Sequence, residues 1–318
     1  MNDSPRYVVA VDVGTGSARA GFFDSGGRLR SRAVHPIKIN KPQADHAEHS
    51  SDDIWGAVCQ VVRTAGGEAK VRPEEVAGIS FDATCSLVLL DAGGRPRSAS
   101  VTGEDRWNVM VWHDHRAGSE AEEVTASGHR VLDYVGDVMS LEMQMPKFMW
   151  LKRNLSEAWR DYRMALDLTD FLVWRASGAN ERSVCTLTCK WGYLAHEKIG
   201  WQEDFLNQLG LDDLPAHAAL PEQASPIGGR AGFLTAGAAE ELALTSDCAV
   251  GVGLIDAHAG ALGVLGSEIG GDTLDERIAM IAGTSSCHMA LSKEPRLIKG
   301  VWGPYFGAVA PGYWVNEG

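Results

Sequence analysis

The stretch "VVAVDVGTGSARAGFFD", Val8 to Asp24, decides how the chain is read. It opens as an apolar strand broken only by Asp12 and corners at Gly14-Thr15-Gly16-Ser17. Beyond the corner, Ala18, Ala20 and Phe22 alternate with Ser17, Arg19 and Gly21, which is strand period and not helix period. Asp24-Ser25-Gly26-Gly27 makes a second turn, and Arg28 to Val34 can pair back. The expectation is a β-meander with a glycine turn at its first corner. Two common phosphate loops are excluded. A P-loop ends in Gly-Lys-Ser/Thr. A dinucleotide fingerprint needs a helix after the turn and a small residue where Arg19 stands. What remains is a turn that can aim successive N–H groups and two hydroxyls at an anion. Asp12 would repel a bare phosphate, and a hydrated Mg²⁺ between the two would reconcile them. On this stretch alone, a plain hairpin with Asp12 as a buried cap reads as well.

The plan recurs. "RIAMIAGTSSCHMALSKEPRL", Arg277 to Leu297, repeats an apolar strand, a Gly-Thr-Ser-Ser corner at Gly283 to Ser286, a short strand and a turn. Two such units far apart suggest a duplicated domain with a ligand between the copies, its polyphosphate gripped from both sides. This pattern resembles the actin-like ATPase fold (ribonuclease H-like), a duplicated α/β architecture.

Composition narrows the function. The 318 residues are 45% hydrophobic and 22% charged, as in ordinary globular proteins. A net charge of −13 argues against nucleic acid or an anionic membrane as the main partner. No run of eighteen apolar residues exists, and the first twenty residues lack the apolar core of a signal peptide. Cys59, Cys85, Cys185, Cys189, Cys248 and Cys287 are scattered. Cys185 and Cys189 lie four apart, but no second pair completes a zinc set. Reduced thiols and a cytoplasmic location are expected.

Along the chain, Ser50 to Gly66 reads as a capped amphipathic helix. Val76 to Phe81 and Ser86 to Leu90 read as strands on either side of "DATC". Pro146 to Asn154 and Asp170 to Ala176 read as helices, and Gly228 to Ala243 as a glycine-rich turn and a helix. "CAVGVGLIDAHAGALGVLG", Cys248 to Gly266, reads as a buried strand, a polar knot at Asp256 and a small-residue helix.

The polar knots are the candidate site residues. Asp256 follows a strand and opens a helix, where the dipole favours a carboxylate. It is either a simple cap or a general base, and His258 reads as a packing residue. Asp82 and Thr84 sit at a strand break, where polar groups are costly unless used. If the strand from Asn108 continues, alternation puts Trp112, Asp114 and Arg116 on one side. They form either the wall of a polyhydroxyl pocket or a structural Asp–Arg pair. Lys190 lies between Cys189 and Trp191, and Glu317 ends an apolar strand.

Together these stretches closely resemble the FGGY family of carbohydrate kinases. "VDVGTGSARA", "GISFDATCSLVLLD", "WHDHRA", "PKFMWLKRN", "LTDFLVWRASG", "VCTLTCKWGY", "LIDAHAGALGV", "IAGTSSCHM", "GVWGPYF" and "WVNEG" fall in the family's order. "FDATCS", "CKW", "DAHAG" and "GTSSCHM" look most like the D-ribulokinase branch. The resemblance implies ATP and Mg²⁺ as cofactors and phosphorylation of a ketopentose, most plausibly D-ribulose, with L-ribulose, D-xylulose or a polyol as alternatives. It implies that Asp12 organises Mg²⁺ and phosphate and that Gly14, Thr15, Gly16 and Ser17 form the first phosphate loop. Gly283, Thr284 and Ser285 would form the second. Asp256 would be the base. Ala83, Lys190, Asp256 and Glu317 match positions that hold the sugar, with Asp82, Trp112 and Asp114 as further pocket wall. The expected partners are the sugar and MgATP, with a homodimer left open.

The resemblance also sets a domain expectation: 1–265 as the family's N-terminal domain and 266–318 as the start of its C-terminal domain. Relatives continue past "NEG" into the adenine pocket, so the chain reads as a fragment, with an inactive sugar-binding remnant as the competing function.

Overall fold

The computed structural model describes residues 6–267, 273–282 and 286–318. The opening meander forms as expected. Tyr7–Val13 pairs antiparallel with Ser17–Phe23, which pairs antiparallel with Leu29–Pro36. Val9, Val11 and Val13 point inward with Ala18, Ala20 and Phe22, the alternation a half-buried sheet demands. Gly14 N–H closes the corner on the Ser17 carbonyl at 3.1 Å.

This meander is the edge of a seven-stranded sheet among the described residues. Val76–Ala83 lies parallel to Tyr7–Val13, and Ala249–Gly251 and Leu254–Ile255 lie parallel to Val76–Ala83. Arg230–Phe233 closes the far edge antiparallel to Ala249–Gly251. The helix Ser51–Ala69 covers one face. Ser50 caps it by accepting from the Asp53 N–H, and Ile54, Val58, Val61, Val62 and Ala65 turn to the sheet. Leu168–Ser177 and Ala236–Leu242 supply Phe171, Leu172, Ala238 and Leu242 to the same core.

A small antiparallel sheet stands beside it, in the order Glu48–His49, Val109–Met110, Leu87–Leu90 and Met164–Asp167. The strand expected to run through Trp112 ends at Met110. A third sheet, of four antiparallel strands, comprises Ile278–Ala282, Ser286–Ser292, Trp314–Glu317 and Trp302–Phe306. Its first two strands pair antiparallel, as the first two strands of the opening do. Its buried Ala279, Met289, Tyr305 and Val315 share one core with Leu187 and Ala261 of helices from earlier in the chain. The cleft between the first and third sheets is therefore built on packed walls.

Candidate active site

Three carboxylates converge because of strand register. Asp12 is the Cα partner of Asp82 on the neighbouring parallel strand, and Asp82 is the partner of Leu254 on the next. Asp256 follows Ile255 directly and opens the helix Asp256–Leu265. All three sit at the carboxyl ends of parallel strands, where open α/β sheets bind ligands. Gly253 makes the last strand possible, because a Cβ there would collide with Thr169 and with the Phe81 carbonyl.

The three line a cavity of about 980 Å³, together with Thr15, Arg19, Trp112, Lys190 and Glu317. Asp256 Oδ1 accepts from the Ala257 N–H at 2.7 Å. Burial, then the Asp12 and Glu317 charges, push its carboxyl up, against the Ala257 hydrogen bond and Lys190. Asp82 is pushed further, to about 8, by burial and by the like charges of Asp12 and Asp256. Asp12 is paired with Arg19, Nη1 to Oδ2 at 2.5 Å.

Lys190 enters from the end of the helix Val184–Lys190 and is 3% exposed. Its Nζ is 3.7 Å from Glu142 Oε2 and 4.2 Å from the centre of the Trp302 ring. Burial works against its charge. The Cys85 thiol, itself pushed up to about 12 by burial, is uncharged near neutrality. The Glu317 and Glu142 carboxylates therefore hold Lys190 protonated, well above the ordinary lysine range. Glu317 Oε1 accepts from Cys287 Sγ at 3.3 Å. Trp112 donates its indole N–H to Thr15 Oγ1, so one cavity wall is tied to the glycine turn.

The structure places the side chains of two of the expected residues away from the cavity, Asp114 of the expected wall and Ala83 of the expected sugar positions. Asp114 is fully buried outside the cavity. Its carboxylate takes the Arg116 guanidinium at 2.6 and 2.8 Å and the Ala47 N–H at 2.7 Å. With the strand ended at Met110, the alternation that grouped Asp114 with Trp112 does not apply. The Ala83 methyl lies in the core with Val13 and Phe81, on the face of its strand opposite Asp82. In the first loop Thr15 faces the cavity, while Gly14, Gly16 and Ser17 shape the corner behind it. Gly283, Thr284 and Ser285 lie outside the described residues.

Residues 7–263 match the model of the FGGY family of carbohydrate kinases, N-terminal domain, and 278–318 match the C-terminal domain of the same family. The chain belongs to the FGGY family of carbohydrate kinases. The human FGGY carbohydrate kinase domain-containing protein is 46% identical over 98% of this chain and 58% of the relative. The D-ribulokinase of Saccharomyces cerevisiae is 41% identical over 98% of this chain and 48% of its own length. The chain thus spans about half the length of these FGGY relatives. The xylulose kinase from Rhodospirillum rubrum superposes with a TM-score of 0.82 at 20% identity, covering 98% of this chain and 60% of that one. The fold is the actin-like ATPase fold of the FGGY kinases.

Sequence reasoning missed Arg19, Glu142 and Trp302 as cavity residues. Arg19 carried a signal: it stands directly across the hairpin from Asp12. Trp302 lies in a stretch that carried the FGGY resemblance, but nothing local marked it as facing Lys190. Glu142 had no signal, since it reaches the cavity from the segment before the helix Gln144–Asn154.

Proposed function

We propose that this chain carries the sugar site and the phosphate-gripping loops of an ATP-dependent ketopentose kinase, converting D-ribulose to D-ribulose 5-phosphate. The observation that carries the reading is one cavity holding both a half-buried carboxylate with raised proton affinity, Asp256, and the charged Lys190 and Glu317. The similarity to a D-ribulokinase supports the choice of sugar.

In this reading Lys190 and Glu317 hydrogen-bond the sugar hydroxyls and Trp112 forms the flanking wall. Asp256 Oδ accepts the proton of the primary hydroxyl as that oxygen attacks the γ-phosphorus of ATP, and ADP leaves. Raised proton affinity makes Asp256 a better base than an exposed aspartate. The rest is positioning and charge stabilisation. Thr15 and the first loop face the phosphates, with Arg19 able to swing from Asp12 onto them, and Gly283, Thr284 and Ser285 would close from the other side. The all-oxygen set of Asp12 and Asp82 fits Mg²⁺, and like-charge repulsion between them is what a cation would relieve. Bound there, Mg²⁺ would neutralise phosphate charge.

With this reading go a domain boundary between residues 265 and 266, a cytoplasmic setting, and a homodimer as an open assembly. We also propose that residues 1–318 alone bind MgATP weakly and turn over D-ribulose at no useful rate. Ile278 and Met280, on the edge strand of the third sheet, are 64% and 62% exposed.

The test is isothermal titration of residues 1–318 with D-ribulose, L-ribulose, D-xylulose and ribitol, beside an ADP-release assay. D-ribulose binding that is lost in Lys190→Ala is expected. Tighter binding of another sugar would reassign the substrate, and binding of none would sink the reading.

A further inference from the structure

One cluster beneath the sugar cavity has no part in phosphoryl transfer. Cys185 and Cys189 stand one turn apart on the helix Val184–Lys190, so their thiols share a face. His258 meets them from the helix Asp256–Leu265. The two sulfurs and an imidazole nitrogen all lie within 4.8 Å of one another, and all three residues are fully buried. Cys189 Sγ is 3.2 Å from His258 Nε2. On the remaining side Glu317 Oε2 lies 3.8 Å from the same Nε2. That oxygen and His258 Nδ1 are buried without a hydrogen-bond partner. Unpaired buried polar atoms cost free energy, and a cation among them would use one of the two.

We propose that Cys185, Cys189 and His258 form a binding site for a divalent cation of the zinc class, with Glu317, which faces both this cluster and the cavity, supplying the fourth ligand through Oε2. Donor chemistry selects the class. Two thiolates, an imidazole and a carboxylate are ligands for tetrahedral zinc, whereas Mg²⁺ takes oxygens. Zn–S bonds of about 2.3 Å and Zn–N bonds of about 2.0 Å set tetrahedral ligand atoms roughly 3.5–3.8 Å apart. Cys185, Cys189 and His258 therefore have to close by about 1 Å at their widest, and Glu317, which is near His258 but outside that 4.8 Å set, has to turn further to join them. The charge balances. Each thiol releases one proton to solvent as the dication binds, so the site keeps the single negative charge that Glu317 gave it, beside Lys190. Spacing in the sequence hid the set, because its members are a helical Cys pair, a His on another helix and a Glu on a strand of the third sheet.

The experiment uses residues 1–318, reduced and freed of metal by a chelator, titrated with Co²⁺ under anaerobic conditions. The expected result is a thiolate-to-cobalt charge-transfer band with the visible bands of tetrahedral Co²⁺, saturating at a single ion per chain and removed by Zn²⁺. The Cys185→Ser/Cys189→Ser double variant is expected to lose the charge-transfer band. Cys59→Ser, in the other core, is expected to keep it. No charge-transfer band in the wild-type chain overturns the proposal, whatever the variants' folding. A band that persists in the double variant also overturns it. Neither outcome bears on the sugar titration, so this site and the kinase reading fail separately.

Discussion

Trp112 donates its indole N–H to the Thr15 hydroxyl at 2.9 Å, joining one wall of the cavity to the glycine turn. The bond spans 97 residues of sequence and links a loop after one sheet to a corner of another. Its rigidity would fix the turn relative to the sugar. Trp112→Phe keeps the aromatic wall and removes the donor. In a chain continued to the length of its FGGY relatives, kcat/KM should fall roughly 5–10-fold, the worth of about one hydrogen bond. Steady-state kinetics with both substrates checks this. A change confined to the sugar KM would show that the bond to Thr15 carries nothing.

Asp256→Asn, in the same extended chain, should lower kcat by about 10²–10⁴-fold while D-ribulose still binds. The amide keeps the hydrogen bond to Ala257 in shape but accepts no proton. Unchanged kcat at saturating ATP and sugar would remove Asp256 from the role of base.

Lys190→Ala should raise the D-ribulose KM far more than the ATP KM. The lysine is the cation between Glu142 and Glu317, so its loss leaves two cavity carboxylates without a counter-charge. Paired saturation curves decide the matter, and a selective loss of ATP affinity would move the lysine to the other ligand.

How much of this was legible depended on whether the signal was local. Asp256 could be read because strand, carboxylate and small-residue helix are adjacent in the chain. The opening meander could be read because alternation runs unbroken through Ser17–Phe23. Asp114 was misplaced because alternation was extended past Met110, where the strand stops and a turn begins. Glu142 and Trp302 were invisible for a different reason. They meet Lys190 from segments distant in sequence that pack tightly on each other, a Cβ on Gly136 coming within 2.7 Å of the Val301 carbonyl oxygen. No pattern within either segment encodes that approach.

The three-carboxylate cluster makes folding stability depend on pH. Burial and the like charges of Asp12 and Asp256 push Asp82 up to about 8 in the folded chain, against 3.8 for an ordinary aspartate. Between those values the unfolded chain has released this proton and the folded chain has not, so stability falls as pH rises from about 4 to about 8. Asp82→Asn should flatten that slope, and Mg²⁺ should flatten it in the wild type by favouring the charged form. Thermal midpoints measured across this range, with and without Mg²⁺, test both. An unchanged slope in the variant would assign the pH dependence to other groups, such as Asp167, also pushed up to about 8 by burial.

Asp114 should prove to be a stability residue with no say in sugar choice. Its carboxylate, with Glu48, surrounds the Arg116 guanidinium, and Arg116 Nη1 also donates to the Ala99 carbonyl at 2.8 Å. All three side chains are buried, and Trp150 stacks on the guanidinium from 5.0 Å. Replacing such an ion cluster entirely with apolar groups costs little, but removing Asp114 leaves the buried Nε of Arg116 without an acceptor and its charge balanced by Glu48 alone. Asp114→Ala should therefore destabilise the chain by about 3–5 kcal/mol, and also release the Ala47 N–H, which Asp114 holds at 2.7 Å. Urea unfolding measures that loss, and titration of the folded variant with D-ribulose should give the wild-type Kd. Weakened sugar binding with unchanged stability would put Asp114 back on the cavity wall.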